Sequence, residues 1–196
     1  MNTFIRPSVV LLALFTLLTG LIYPAVITLV AQVAFAHEAD GSLVTRDGQV
    51  VGSSLIGQNF SGQQYFWGRM SATAPQPYAG TASAGSNLGP LNPALIEGIK
   101  ARIEALHAAD PGNVQPVPVD LVTASGSGLD PEISVAAALY QAGRVARTRA
   151  LDPDAVRDLI HHHAHGRLLG LLGEPRVNVL ELNLVLDDLA RTNSHP

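Results

Sequence analysis

The sequence predicts an α+β protein: one N-terminal transmembrane helix, then a single mixed α/β domain with about four helices and a few short strands. Three observations predict it. A stretch of 30 residues, 7–36, carries no ionisable side chain except the phenol of Tyr23. Four later positions carry the chemistry of a helix start. Between them lie short apolar runs bounded by Gly, Ser, Asn and Asp, the pattern of short strands and turns.

As a helix, residues 7–36 would be about 45 Å long, against a hydrocarbon core of about 30 Å. The chain therefore divides into a short cytoplasmic N-terminus (1–6), a transmembrane region (7–36) and an extracytoplasmic soluble domain (37–196). Arg6 and the N-terminal amine precede the span; His37, Glu38 and Asp40 follow it. The positive flank belongs in the cytoplasm, which places the domain on the outer, periplasmic or extracellular, side of the cell inner membrane. Ala34-Phe35-Ala36 also fits a signal-peptide cleavage site, but a signal core is about 7–15 residues and this run is longer. Either reading exports the rest of the chain. Ala13, Thr16, Gly20 and Pro24 fall near one helical face, where small residues let another helix approach. Thr16, Gly20 and Pro24 are thus candidates for docking membrane partners. A lone helix forms no pore, so any transport belongs to those partners.

Composition narrows the rest. The net charge is −4, from 12 basic and 16 acidic residues, so no broad basic face for nucleic acid is expected. There is no cysteine, which excludes disulfides and thiolate metal sites. Along the domain, Asp47-Gly48 between two Val-containing runs reads as a hairpin turn, and Ser54–Ile56 as a further short strand. Residues 57–93 are rich in Gly, Ser, Pro and Gln, yet hold Phe60, Tyr65, Phe66, Trp67 and Tyr78, five of the ten aromatics. A disordered linker would be poor in aromatics, so this loop folds onto a core. Trp67 and Arg69 are of the residue types that anchor interfaces and are the alternative, docking candidates.

Asn92-Pro93, Asp130-Pro131 and Asp152-Pro153 each set a capping side chain before Pro at the first helical position. They predict helices over 93–108, 131–149 and 153–165. Asn178 with Glu181 resembles a capping box and opens a fourth, 179–191. Val119–Val122 reads as a short apolar strand leading into the turn Ser125-Gly126-Ser127-Gly128.

A strand, a Gly-rich turn and a helix start can cradle a phosphate. The turn is no Walker A loop, because the Gly-Lys-Ser/Thr ending is missing. Asp130 at the expected cap would also repel an anion there. His161, His162, His163 and His165 cluster at a helix end. His161 and His165 have metal-ligand spacing, but no second ligand cluster accompanies them, so a solvated face is the better reading.

Across these elements the chain resembles KdpC, the C subunit of the Kdp potassium-transporting P-type ATPases. The resemblance rests on TGLIYP (19–24), GSSLIGQNF (52–60), YFWGRMSA (65–72), SAGSNLGPLNP (83–93), DLVTASGSGLDPEIS (120–134), YQAGRVARTR (140–149) and VNVLELNLVLDDL (177–189). Met70, Ala84 and Glu132 depart from the usual proline, glycine and histidine. The resemblance implies a non-catalytic accessory subunit of a high-affinity, ATP-driven potassium uptake pump. It implies three partners: a potassium-channel-like subunit, a P-type ATP-hydrolysing subunit and a small membrane peptide. It also implies a catalytic-chaperone role that raises ATP affinity of the hydrolysing subunit. By motif position, nucleotide contact would fall to Gln141 with Ser125, Gly126, Ser127 and Gly128, and ATP is the one cofactor the family suggests. An exported domain, however, meets no cytoplasmic ATP. An extracytoplasmic enzyme or binding module unrelated to the pump is the alternative.

Overall fold

The N-terminal apolar stretch forms a helix interrupted once. In the computed structural model, which describes residues 2–193, α1 (Asn2–Leu17) passes through a π-helical turn (Leu18–Ile22) into α2 (Tyr23–Ala34). The interruption has a local cause. Pro24 has no N–H and its ring crowds the carbonyl four residues back, that of Gly20, so the backbone opens there. The Tyr23 N–H instead bonds to the Leu18 carbonyl. Thr19 returns its hydroxyl to the Phe15 carbonyl, leaving no polar side-chain group of its own unpaired. The apolar side chains of this helix are uncovered, as Leu12 at 69% and Val33 at 78% exposure show. A water-soluble helix would hide one face; this one suits lipid all round. Met1, whose amine contributes to the positive flank, lies outside the described residues.

Phe35 breaks the helix, and one further turn, α3 (Ala36–Ala39), leads to a hairpin of β1 (Leu43–Arg46) and β2 (Gln49–Ser53). Asp47 and Gly48 both have positive φ, 51° and 75°, as a two-residue type I′ turn requires. The expected strand at 54–56 is instead a tight turn closed by a single bridge, Ser53 to Ile56.

By contacts, the chain forms two compact units, Met1–Val51 and Gly52–Pro196. The second holds four long helices and a small antiparallel sheet. The helices are α4 (Pro93–Ala109), α6 (Val135–Arg149), α7 (Pro153–His162) and α8 (Val179–Asn193). Of these, α6 and α8 pack against the sheet. A single-turn helix, α5 (Val119–Val122), stands where an extended run was expected. Leu121 and Val122 are buried there while Val119 is 71% exposed, so the run expected as a strand is a helical turn that buries only its second half. The sheet has the order β3 (Glu132–Ser134), β5 (Arg176–Asn178), β4 (Ala164–His165).

Three of the four expected caps are present as bonds. Asn92 accepts from Ala94 N–H at 3.0 Å, Asp152 from Asp154 N–H at 3.3 Å, and Asn178 from Glu181 N–H at 3.1 Å. The fourth is corrected. Residues 132–134 are strand, paired with 176–178, so α6 begins at Val135 and Ser134 is its cap, accepting from Ala137 N–H at 3.0 Å. Asp130 closes only a local turn, accepting from Glu132 N–H at 3.0 Å. Likewise α7 stops at His162 rather than 165, because Ala164–His165 join the sheet.

The core gathers Phe66, Leu106, Leu121, Ile133, Val145, Ile160, Val177, Leu182 and Leu186, all at most 2% exposed. The alanines Ala137, Ala138, Ala142 and Ala146 of α6 are equally buried, which brings its backbone close to its neighbours.

Candidate functional site

The motif-bearing turn and helix are built against the aromatic loop, and this contact organises the domain. Gln141 lies on the Ala-rich face of α6 and is 1% exposed. Its side-chain amide makes a two-sided latch on the backbone of Trp67. The Trp67 N–H donates to Gln141 Oε1 at 2.9 Å, and Gln141 Nε2 donates to the Trp67 carbonyl at 3.1 Å. Asn183 of α8 does the same one residue earlier. The Phe66 N–H donates to its Oδ1 at 2.8 Å, and its Nδ2 donates to the Phe66 carbonyl at 3.0 Å. Two consecutive residues of an irregular loop thus borrow their strand-like partners from two helices. A buried backbone group left unpaired would cost about 1–3 kcal/mol, so the amides are what allow this segment inside.

Arg144, one turn on from Gln141, completes the arrangement. It donates from Nη2 to Gln141 Oε1 at 2.7 Å and from Nη1 to the Gln63 carbonyl. Its guanidinium carbon is 4.7 Å from the Trp67 ring centre, and that of Arg102 is 5.2 Å away. Two cations over one indole is the favourable use of its negative π face. Burial lowers the Arg144 pKa to about 10. Arg102 is lowered too, again by burial, while it donates to the Leu121 and Gly68 carbonyls at 3.0 and 2.7 Å.

The Gly-rich turn is sewn to the same loop. Ser125 N–H donates to the Met70 carbonyl, Ala84 N–H to the Ser127 carbonyl, and Ser71 Oγ to the Gly128 carbonyl, at 3.1, 2.9 and 2.7 Å. Gly128 has φ +70°, and a Cβ there would lie 2.6 Å from Thr73 Cγ2 and 2.7 Å from the Ala84 carbonyl oxygen. Only glycine fits both constraints. Asp130, released from its expected capping task, pairs with Arg69 at 2.9 Å. The acid at the true start of α6 is Asp120, which accepts from Ser134 N–H at 2.7 Å and Ser134 Oγ–H at 3.2 Å. A carboxylate therefore still stands at this helix start, and it opposes an anion there as Asp130 was expected to do.

The structure brings Gln141 and the Ser125–Gly128 turn against one loop, but spends their groups differently. Gln141 is sealed in the core, whereas Gly126 leaves open space where a Cβ would stand. Trp67 is 7% exposed and Arg69 is half-buried, so the docking candidates of the loop are mostly committed to the fold itself. Thr16, Gly20 and Pro24 lie in the uncovered helix, and nothing approaches within 4 Å of a Cβ at Gly20. The histidines 161–163 and 165 sit at the end of α7 and in β4; His165 Nδ1 is 3.7 Å from Glu132, which also pairs with Arg176 at 2.6 Å. Among the described residues no group of three potential metal ligands converges.

Sequence reading missed Asn183, Arg144, Arg102 and Asp120. A signal existed for Asn183, a polar residue between Leu182 and Leu186 on the apolar face of its helix. None existed for Arg102, whose carbonyl partners lie on separate segments.

The residues of this latch fall within a known family. Residues 5–188 match the family described as "KdpC: K+-transporting ATPase, c chain". The "Potassium-transporting ATPase KdpC subunit" of Sorangium cellulosum is 64% identical over 183 residues, covering 93% of this chain and 96% of that protein. That of Variovorax paradoxus is 64% identical over 187 residues, covering 95% and 97%. That of Herpetosiphon aurantiacus is 59% identical over 189 residues, covering 96% and 98%. At this identity and coverage the chain belongs to the KdpC family, the c chains of potassium-transporting ATPases.

Proposed function

We propose that this chain is the non-catalytic accessory subunit of an ATP-driven potassium uptake pump, serving as an assembly element on the pump's outer side. The helix Phe4–Ala34 anchors it beside the channel-like subunit, the ATP-hydrolysing subunit and the small membrane peptide, with Thr16, Gly20 and Pro24 on the approach face. The domain stands on the extracytoplasmic side, over the potassium entrance, as the single positive flank at Arg6 favours.

The observation that carries this reading is the use made of the family's motif. Its glutamine and arginine, Gln141 and Arg144, hold the backbone and ring of Trp67 instead of facing an open site. Such a latch builds a rigid body for partners to grip. For Gln141 to touch a nucleotide it would have to release both Trp67 backbone groups. The rise in ATP affinity implied by the family is therefore assigned to assembly, acting through the hydrolysing subunit.

A protease-sensitive tag after Pro196 in sealed cells tests the placement. Cleavage by external protease is expected, and shielding until the cells are opened overturns it. A deletion strain tests the role: potassium uptake with unchanged affinity and a fully assembled pump would end the assembly reading.

A further inference from the structure

A second face of α6 borders a cavity that has no part in the Trp67 latch. The cavity is about 220 Å³ and lies between the loop after α4, the middle of α6 and α7. Tyr140, Gly143 and Arg147 line it at three- and four-residue spacing, one stripe of the helix. Gln141 and Arg144 belong to the neighbouring stripe, which holds Trp67. Asn113 fastens the loop over α6, its Nδ2 donating to the Tyr140 carbonyl at 2.9 Å. Asp110, only 5% exposed, thereby comes to the cavity wall. Gly143 leaves room for Arg147, since a Cβ there would lie 3.3 Å from Arg147 Nη1.

Polar groups of both characters are left over around this space. The Tyr140 hydroxyl is buried and has no hydrogen-bond partner among the described residues. Buried polar groups are nearly always paired, so an unspent one beside a cavity calls for a ligand. Burial first, and then the charge of Asp110, raise the Tyr140 phenol above its ordinary value, which keeps it a neutral O–H donor. Asp110 accepts from Arg147 through Oδ1, and its Oδ2 accepts no bond among the described residues. Arg157 reaches the cavity from α7 while Nη1 pairs with Asp154 at 2.5 Å. Both partners of that pair are more than half exposed, so it is weak and readily exchanged.

The balance of charge selects the ligand. Two guanidiniums border the cavity, and the buried Asp110 offsets one of them. A phosphate dianion would meet Asp110 at close quarters, and a bare cation would meet Arg147 and Arg157. A molecule that carries both signs satisfies every leftover group. Its carboxylate takes hydrogen bonds from the Arg157 fork and the Tyr140 hydroxyl, and its ammonium donates to Asp110 Oδ2.

We propose that this cavity binds a small zwitterion of the amino-acid type, with Asp110 receiving the ammonium and Tyr140 and Arg157 the carboxylate. The site is separate from the nucleotide contact implied by the family, and it needs neither the assembly reading nor a given side of the membrane.

Calorimetric titration of the full-length chain in detergent tests it, with glycine and alanine as probes. Acetate and ethylamine, which carry one charge each, are the controls. Saturable binding of the amino acids is expected, with acetate and ethylamine at least about tenfold weaker. Y140F removes a hydroxyl that has no partner within the chain. Its unfolding temperature without ligand should equal that of the wild type, while its affinity for alanine falls at least about fivefold. R157Q breaks only a surface pair and should weaken alanine similarly without loss of stability. No saturable binding of either amino acid overturns the proposal. So does acetate binding as tightly as alanine, which would make this a plain anion site. Unchanged alanine affinity in both Y140F and R157Q would place the ligand elsewhere and overturn it too. A lowered unfolding temperature of ligand-free Y140F would show the hydroxyl already paired, and would also end the proposal.

Discussion

Two irregular, glycine-containing segments of the domain have opposite fates. Residues 60–79 turn inward, and their aromatics enter the core under two side-chain amides and two guanidiniums. Residues 167–174 turn outward, and Leu168, Leu169, Leu171 and Leu172 are exposed on a tip closed by the reciprocal Leu168–Leu172 backbone pair. Apolar content alone does not decide which way a loop folds. The inward loop has its backbone groups paired by Gln141 and Asn183; the outward one makes the bonds it has within the tip and leaves the rest to its surroundings. Polar satisfaction, more than hydrophobicity, sorts the two.

Substitutions can break this contrast, and the largest effect should come from its centre. Trp67→Ala removes a buried ring and leaves two guanidiniums facing a cavity, at a cost of about 3–5 kcal/mol. Thermal unfolding should show a loss of most of the domain's cooperative transition. Gln141→Ala leaves the Trp67 N–H and carbonyl without partners and should cost at least about 2 kcal/mol, at about 1–3 for each buried group. Chemical denaturation measures it; a change below about 0.5 kcal/mol, the usual surface range, would mean the latch is not structural.

Gly128→Ala tests the stitching of the turn to the loop. It meets both a left-handed backbone and contacts too close to Thr73 and Ala84, and should cost about 1–3 kcal/mol in the same assay. The smallest stability effect belongs to the outward loop. Leu171→Ser should shift folding stability by no more than about 0.5 kcal/mol in detergent, as an exposed site does. A loss comparable to that of Gln141→Ala would place Leu171 in the fold and erase the distinction between the two loops.

Much of the architecture was legible because its signals are local. Asn92-Pro93 and Asp152-Pro153 start their helices as expected, since a cap acts on N–H groups only two or three residues away. The Asp47-Gly48 hairpin and the apolar N-terminal helix follow from equally short-range rules. The burial of the aromatic loop was legible too, from aromatics concentrated in a stretch that is otherwise loop-like in composition.

What the sequence could not decide alone lies where distant segments meet. Asp130-Pro131 carries a good local helix start, yet α6 begins at Val135. Glu132–Ser134 gain a strand partner 42–46 residues away, and no window around Asp130 contains Arg176–Asn178. The pairing satisfies backbone groups in the interior that one more helical turn would have satisfied only locally. Gln141 is the same case at the candidate site. The sequence placed it in a recognisable motif, and the resemblance suggested a nucleotide contact. Its partners are the Trp67 N–H and carbonyl, 74 residues earlier, brought to it by the packing of α6 against the loop. Sequence by itself determined the long apolar N-terminal helix, most helix starts and the family. Tertiary structure decided which polar groups are spent inside, because a buried hydrogen bond depends on what lies next in space.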